Sequence, residues 1–191
     1  MSKKIVIIYA HPNFKTSRLN RALIKSAEQV KNQNSNLSIS NLYEKYPDGK
    51  IDISAEQELL KTHDLFILQF PFYWFNTTPL LKQWIDEVFT YGFAYGPGGD
   101  FLHGKELMVC ITTGGNLERY KNDPGFTLPE LLKPFEYSAK YCNMIYKPPF
   151  IVAGADMSEE NLDQAAQDYA KFLKTYLEEG CQAFKNAYPK F

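Results

Sequence analysis

The chain has 191 residues, 45% of them apolar and 23% charged, the balance of a globular protein with one sizeable core. A formal net charge of −1 gives no field that would draw nucleic acid or an anionic membrane, and no apolar run reaches spanning length. Three widely spaced cysteines, Cys110, Cys142 and Cys181, argue against a disulfide framework and against a structural zinc site.

Lys4 to Tyr9 is a β-branched run and is predicted as the first strand. The apolar stretch at the N-terminus is too short for a signal peptide, so a cytoplasmic protein is expected. Ala10-His11-Pro12-Asn13 ends the strand. Thr16 or Ser17 can cap a first helix, with Leu19, Leu23, Ile24, Ala27 and Val30 on its apolar side. Leu37 to Leu42 alternates and reads as strand two, with one solvated flank. Ser54 and Gln57 have capping-box spacing for a short helix to about Thr62.

Asp64 to Phe89 organises the rest. Leu65 to Phe70 is a short apolar run, read as a buried parallel strand that Pro71 breaks. Phe72, Tyr73, Trp74 and Phe75 follow as four aromatics on a turn. Thr78 can cap the next helix with Pro79 at its first position. Leu80, Leu81, Trp84, Ile85 and Val88 then recur at helical spacing. In an open α/β sheet, a loop at the carboxyl end of a strand is where ligands bind. Four successive aromatics suit a flat conjugated ligand.

A Gly-rich connection, GFAYGPGGDFLHGK, leads to strand four, Glu106 to Thr112. Thr113-Gly114-Gly115 ends it, and two glycines there would allow positive φ and close approach of a ligand. A helix is expected from about Leu128 to Tyr141, with Pro134 as a kink. Ile145 to Val152 is strand five, interrupted at Pro148-Pro149 and so an edge or a frayed end. Ser158 caps a long last helix carrying Leu162, Ala165, Tyr169, Phe172, Leu173 and Tyr176. Five strands alternating with helices imply a single domain over residues 1–191, an α/β doubly wound parallel sheet.

Three strand ends carry candidate chemistry. The loop from His11 to Asn20 ends at a helix N-terminus, whose free N–H groups suit a phosphate. Read alone, those residues describe an ordinary capped helix equally well. Thr112 to Gly115, taken alone, is an ordinary turn. His63 and His103 read as structural or exposed. The dinucleotide fingerprint, the Walker A loop, the nucleophile elbow and spaced metal ligands are all missing, so no metal is expected.

IIYAHP, FPFYWFNTTPLLKQWIDEVF, FAYGPGG, LHGKELMVCITTGG and the later YCNM and PPF together resemble the flavodoxin-like NAD(P)H:quinone oxidoreductases, over roughly Ile5 to Phe150. The short bacterial branch is the most similar. It includes the ancillary reductases of glutathione-regulated potassium-efflux antiporters and the general-stress quinone reductases. The resemblance implies a sheet of order 2-1-3-4-5 with helices on both faces, and a homodimer with one flavin per subunit. His11, Ser17, Arg18, Leu19 and Asn20 match the phosphate end. Phe72, Tyr73, Trp74 and Phe75 match the loop holding the isoalloxazine, and Thr112, Thr113, Gly114 and Gly115 match the second ring-binding loop. Tyr120 falls where DT-diaphorase has the tyrosine that assists hydride transfer. Tyr95 matches an aromatic of the partner's substrate pocket, which Trp74 also lines. The histidine that works beside the catalytic tyrosine is replaced near Phe126, and Pro97 replaces a second pocket aromatic.

The implied activity is two-electron transfer from NAD(P)H through FMN to a quinone, with FAD as the alternative. FMN is favoured because the chain ends soon after its last helix, without the C-terminal region of the FAD-binding relatives. The rivals are a regulatory subunit of a membrane antiporter, an azo- or nitroreductase, and a one-electron flavodoxin carrier. Such carriers have strongly acidic docking faces, which a charge of −1 does not support.

Overall fold

The computed structural model describes residues 2–121 and 124–186. Its strands are β1 (Ile5–Tyr9), β2 (Leu37–Asn41), β3 (Leu65–Pro71), β4 (Glu106–Thr113), β5 (Ile145–Tyr146) and β6 (Phe150–Ala153). All pair in parallel, in the order β2-β1-β3-β4-β5, with β6 also on β4. The helices are α1 (Arg18–Lys31), α2 (Leu42–Lys45), α3 (Ile53–Lys61), α4 (Pro79–Val88), α5 (Glu118–Lys121), α6 (Leu128–Leu131), α7 (Lys133–Tyr141) and α8 (Glu159–Glu179). A short helix, Ala183–Asn186, follows. No described helix is long and apolar enough to cross a membrane.

Strand side chains alternate between two cores. Val6, Ile8, Phe66, Leu68, Val109 and Ile111 meet Leu60, Leu81, Trp84 and Phe135 on one face. Ile5, Ile7, Ile67, Met108 and Cys110 meet Leu23, Ala27, Phe172 and Tyr176 on the other. Covered on both faces, β1, β3 and β4 are buried throughout and mostly apolar. β2 buries only Leu37 fully, as an edge strand does. The five predicted apolar residues of α1 are all buried. Each of its larger side chains contributes about 1.5–3 kcal/mol by leaving water.

Local details depart from the sequence reading. Pro71 does not break β3. It is the last paired residue, opposite Thr112, and the Phe72 N–H then bonds the Thr112 carbonyl at 2.8 Å. Strand five is two strands, because Pro148 and Pro149 bring no N–H to the ladder. The helix expected from Leu128 to Tyr141 divides at Leu132, just before Pro134 in the first turn of α7. Asp52, not Ser54, caps α3, accepting from the Ala55 N–H at 3.0 Å. Its carboxylate stands one residue before the first turn, where an orphan N–H needs it.

The Gly-rich connection folds on itself. Gly99 packs so closely that a Cβ there would lie 2.1 Å from the Tyr95 carbonyl oxygen. Phe93, within this connection, is buried. It stacks on Phe101 at 5.5 Å, and the Lys61 ammonium caps Phe101 at 4.6 Å. Phe101 remains exposed, as do Tyr91 and Tyr141, which both pack against Tyr95.

Candidate active site

The strand order turns back between β1 and β3, and the loops after β1, β3 and β4 gather at that end of the sheet. This is the crevice where open α/β sheets take ligands. Three sequence motifs thus meet in one place.

The loop after β1 delivers the chain into α1. Ser17 stands at the N-cap in extended conformation, and its side chain makes no capping bond. The N–H groups of the first turn therefore keep their partial positive charge for an outside acceptor. Arg18 does not add to that set. Its guanidinium is committed to Glu159 and to the carbonyls of Ala155 and Met157, which ties α1 to the start of α8. Leu19 and Asn20 are buried. Asn20 donates through Nδ2 to Thr112 Oγ1 at 2.8 Å and accepts from Gln69 Nε2. Gln69 in turn accepts from the Tyr169 hydroxyl. These four polar side chains form a satisfied buried chain under the crevice. Sequence reading passes over Gln69, whose signal is a lone amide inside an apolar strand.

His11 is buried beside this loop. Its Nδ1 accepts the Asn13 N–H at 3.1 Å, and its Nε2 lies 3.4 Å from the Tyr73 hydroxyl. Burial lowers its pKa below the ordinary histidine value.

The aromatic loop is strained. Trp74 and Phe75 have φ of 47° and 62°, a left-handed region that bulky L-residues avoid. Each such residue costs on the order of 1 kcal/mol. The Asn76 N–H closes the turn on the Tyr73 carbonyl at 3.0 Å. Phe72 is buried below, whereas Tyr73 and Phe75 are half-exposed and Trp74 is 92% exposed. Thr78, predicted as a cap, makes no side-chain capping bond and donates to the Ala10 carbonyl, holding this loop to the one after β1. Thr77 Oγ1 is buried and finds no partner among the described residues.

The loop after β4 is stitched by Thr113 Oγ1 to the Gly115 carbonyl at 2.7 Å and by the Ala155 N–H to the Gly114 carbonyl at 3.1 Å. The expected positive φ is not found at Gly114 or Gly115. The turn is closed by side-chain and cross-loop bonds, so it needs no left-handed residue. A Cβ on Gly114 would meet nothing within 4 Å, so protein packing does not require glycine there. Open space above that backbone is what a ligand lying on the loop requires. The Tyr120 ring comes to 3.7 Å from the place of a Gly115 Cβ, and its hydroxyl to 3.8 Å. Tyr95 packs against Tyr91 and Tyr141, outside the three loops. Phe126 is exposed. His63 is buried and hydrogen-bonded at the far end of the sheet, and His103 is exposed. Among the described residues no cluster of His, Cys, Asp or Glu could hold a metal.

An open groove of about 710 Å³ runs elsewhere, between α1 and α8. It is lined by surface side chains such as Arg21, Lys25 and Asp163, without convergent buried donors. The strand-end crevice is the better candidate on chemical grounds.

The sequence matches the flavodoxin-like fold family over residues 3–173, and the chain belongs to that family. It is similar to general stress protein 14 of Treponema denticola, whose crystal structure is a complex with FMN. The two are 41% identical, with a TM-score of 0.84 and coverage of 92% of this chain and 99% of that one. A P. pentosaceus structure described as an NADPH-quinone reductase is 30% identical, with a TM-score of 0.77 and coverage of 88% and 96%. The glutathione-regulated potassium-efflux ancillary protein KefG of Enterobacter sp. strain 638 is 38% identical over 180 residues, 93% of this chain and 96% of that protein.

Proposed function

We propose that the protein is an FMN-dependent NAD(P)H:quinone oxidoreductase that works as a cytoplasmic homodimer. One observation carries the reading: an uncapped helix N-terminus, a strained aromatic loop and an open glycine turn meet at one strand end. These residues fit FMN. The first turn of α1 and Ser17 would hold its single phosphate. Tyr73, Trp74 and Phe75 would flank the ring system, and the backbone of Thr113 to Gly115 would run along its edge. The bound cofactor supplies hydride acceptance from a nicotinamide and two-electron delivery to an acceptor. In balance, one hydride from NAD(P)H and one proton from water convert a quinone to a hydroquinone. Donor and acceptor share one pocket, so the oxidised nicotinamide leaves before the quinone enters, a ping-pong order. Tyr120, beside Gly115, would donate a hydrogen bond to negative charge on the bound group. Tyr91 and Tyr141 form an exposed aromatic face around Tyr95, which a second copy would cover isologously. The partner's pocket would then gain Tyr95 as a wall.

The visible spectrum of the purified protein, mass spectrometry of its released flavin and titration with NADH and NADPH test the assignment. Release of FMN and turnover of a quinone are expected. A folded protein that takes up neither FMN nor FAD sinks the proposal. An acceptor panel containing azo and nitro compounds separates those activities.

The similarity to KefG favours a compatible second reading, a flavoprotein that also docks on a potassium-efflux antiporter. Binding to vesicles that carry such an antiporter, compared with empty vesicles, decides it.

A further inference from the structure

The pairing of His11 with Tyr73 says more than that both line the crevice. A ring nitrogen that accepts an N–H carries no proton of its own. His11 Nδ1 accepts the Asn13 N–H at 3.1 Å. In a neutral imidazole the remaining proton is then on Nε2. Nε2 lies 3.4 Å from the Tyr73 hydroxyl oxygen, so this contact has one direction: His11 donates and Tyr73 accepts. The desolvation that lowers the His11 pKa keeps the ring in this neutral form.

A phenol accepting along that line turns its own O–H elsewhere. Among the described residues the Tyr73 hydroxyl has no second hydrogen-bond partner. The residue is half-exposed, and its hydroxyl lies against His11 in the segment that runs from β1 toward α1. Its proton is therefore left for an acceptor in the crevice.

We infer that His11 is a positioning residue, whose Nε2–H tautomer aims the Tyr73 phenolic proton at the phosphate of the bound flavin. This rests on the FMN reading above. It assigns Tyr73 a task other than stacking: its hydroxyl adds a neutral donor to a subsite from which the Arg18 guanidinium is turned away. The role of His11 is indirect. It touches the ligand through Tyr73.

Two measurements test the inference. The first is a long-range ¹H–¹⁵N spectrum of the wild-type protein without flavin at neutral pH. It reads the tautomer directly, and a proton on Nδ1 would overturn the inference. The second compares affinities for FMN and riboflavin, which differ by the phosphate, through flavin fluorescence. Tyr73→Phe should weaken FMN about tenfold to a hundredfold, the effect of one hydrogen bond to a charged group, and leave riboflavin unchanged. His11→Asn keeps an acceptor for the Asn13 N–H but has no donor reaching Tyr73. It should weaken FMN as Tyr73→Phe does, and the double variant should be no weaker than either single one. His11→Gln, whose amide reaches the Nε2 position, should restore FMN selectivity. Equal loss of FMN and riboflavin in Tyr73→Phe would overturn the inference, as would wild-type FMN affinity in His11→Asn. A wild-type protein that binds no flavin removes the functional reading and this one together. Intact FMN binding with unmoved variants removes only this one.

Discussion

Asn20 and Thr112 are joined side chain to side chain at 2.8 Å, away from water, so the first turn of α1 is fastened to the end of β4. Gln69 holds Asn20 from β3, and Tyr169 holds Gln69 from α8. Two loops of the crevice are thereby kept in register by a polar chain inside the protein. Thr112→Val would leave the Asn20 amide short of an acceptor and should cost about 1–3 kcal/mol in urea unfolding. The double variant with Asn20→Ala should lose less than the sum of the two single ones, because neighbours in one network couple. Strict additivity would show that the bond contributes nothing.

Trp74 holds a left-handed conformation with 92% of its surface in water, so it gives up strain without gaining packing. Trp74→Gly should stabilise the flavin-free protein by about 0.5–1 kcal/mol. The same change should weaken flavin binding if the indole flanks the ring system. A thermal midpoint that falls instead would mean that the loop conformation is not strained.

Gly99 and Gly114 should respond in opposite ways. Gly99→Ala places a Cβ 2.1 Å from the Tyr95 carbonyl oxygen, so the Gly-rich loop has to move and stability should fall by several kcal/mol. Gly114→Ala meets no protein atom within 4 Å and should change stability by less than about 0.5 kcal/mol. Its effect should fall on FMN affinity, with a loss of about tenfold or more. Unchanged affinity in a stable Gly114→Ala protein would remove this loop from the site.

Acid should destabilise the fold through its histidines. His63 is buried, with Nδ1 donating to the Leu59 carbonyl at 2.7 Å and Nε2 accepting from the Ser38 hydroxyl at 2.9 Å. Desolvation lowers its pKa from the ordinary 6.5, and His11 is lowered for the same reason. The unfolded chain therefore takes up the proton first. This stability is fully present above about pH 6.5 and is lost as pH falls through the folded values. Asp64, also lowered, loses its share in the more acidic range below 3.8. The unfolding midpoint should drop between about pH 7 and pH 5, and His63→Gln should flatten that slope. Parallel slopes in the two proteins would show that His63 is not a source of it.

The sheet was legible in the sequence because burial on two faces writes continuous apolar runs. Ile5 to Tyr9, Leu65 to Phe70 and Glu106 to Thr112 need no partner information to be seen. The loops after β3 and β4 were legible for another reason: exposed aromatics such as Trp74 and Phe75, and a glycine pair after a strand, have no packing duty to explain them. What bonds the loops together was not legible. Asn20, Gln69 and Thr112 lie far apart in the chain, and only the β3–β4 register and the docking of α1 bring them together. Arg18 looked like a phosphate ligand because its position suits one. Its side chain instead follows carbonyls of a loop some 140 residues away, as the separation of 139 to Met157 shows. Caps were misjudged for a smaller reason. Asp52 and Ser54 both suit an N-cap, and a two-residue shift in where the helix begins decides between them.

The division of the last strand by Pro148 and Pro149 has a consequence for life in a crowded solution. β5 and β6 form one margin of the sheet, and among the described residues no other strand lies beyond them. An unbroken strand there would offer a neighbouring chain a regular row of donors and acceptors on which to build. Two adjacent residues without N–H groups, between stubs of two and four residues, interrupt that template. The same prolines that shorten the ladder protect each molecule from being extended, strand by strand, into an aggregate.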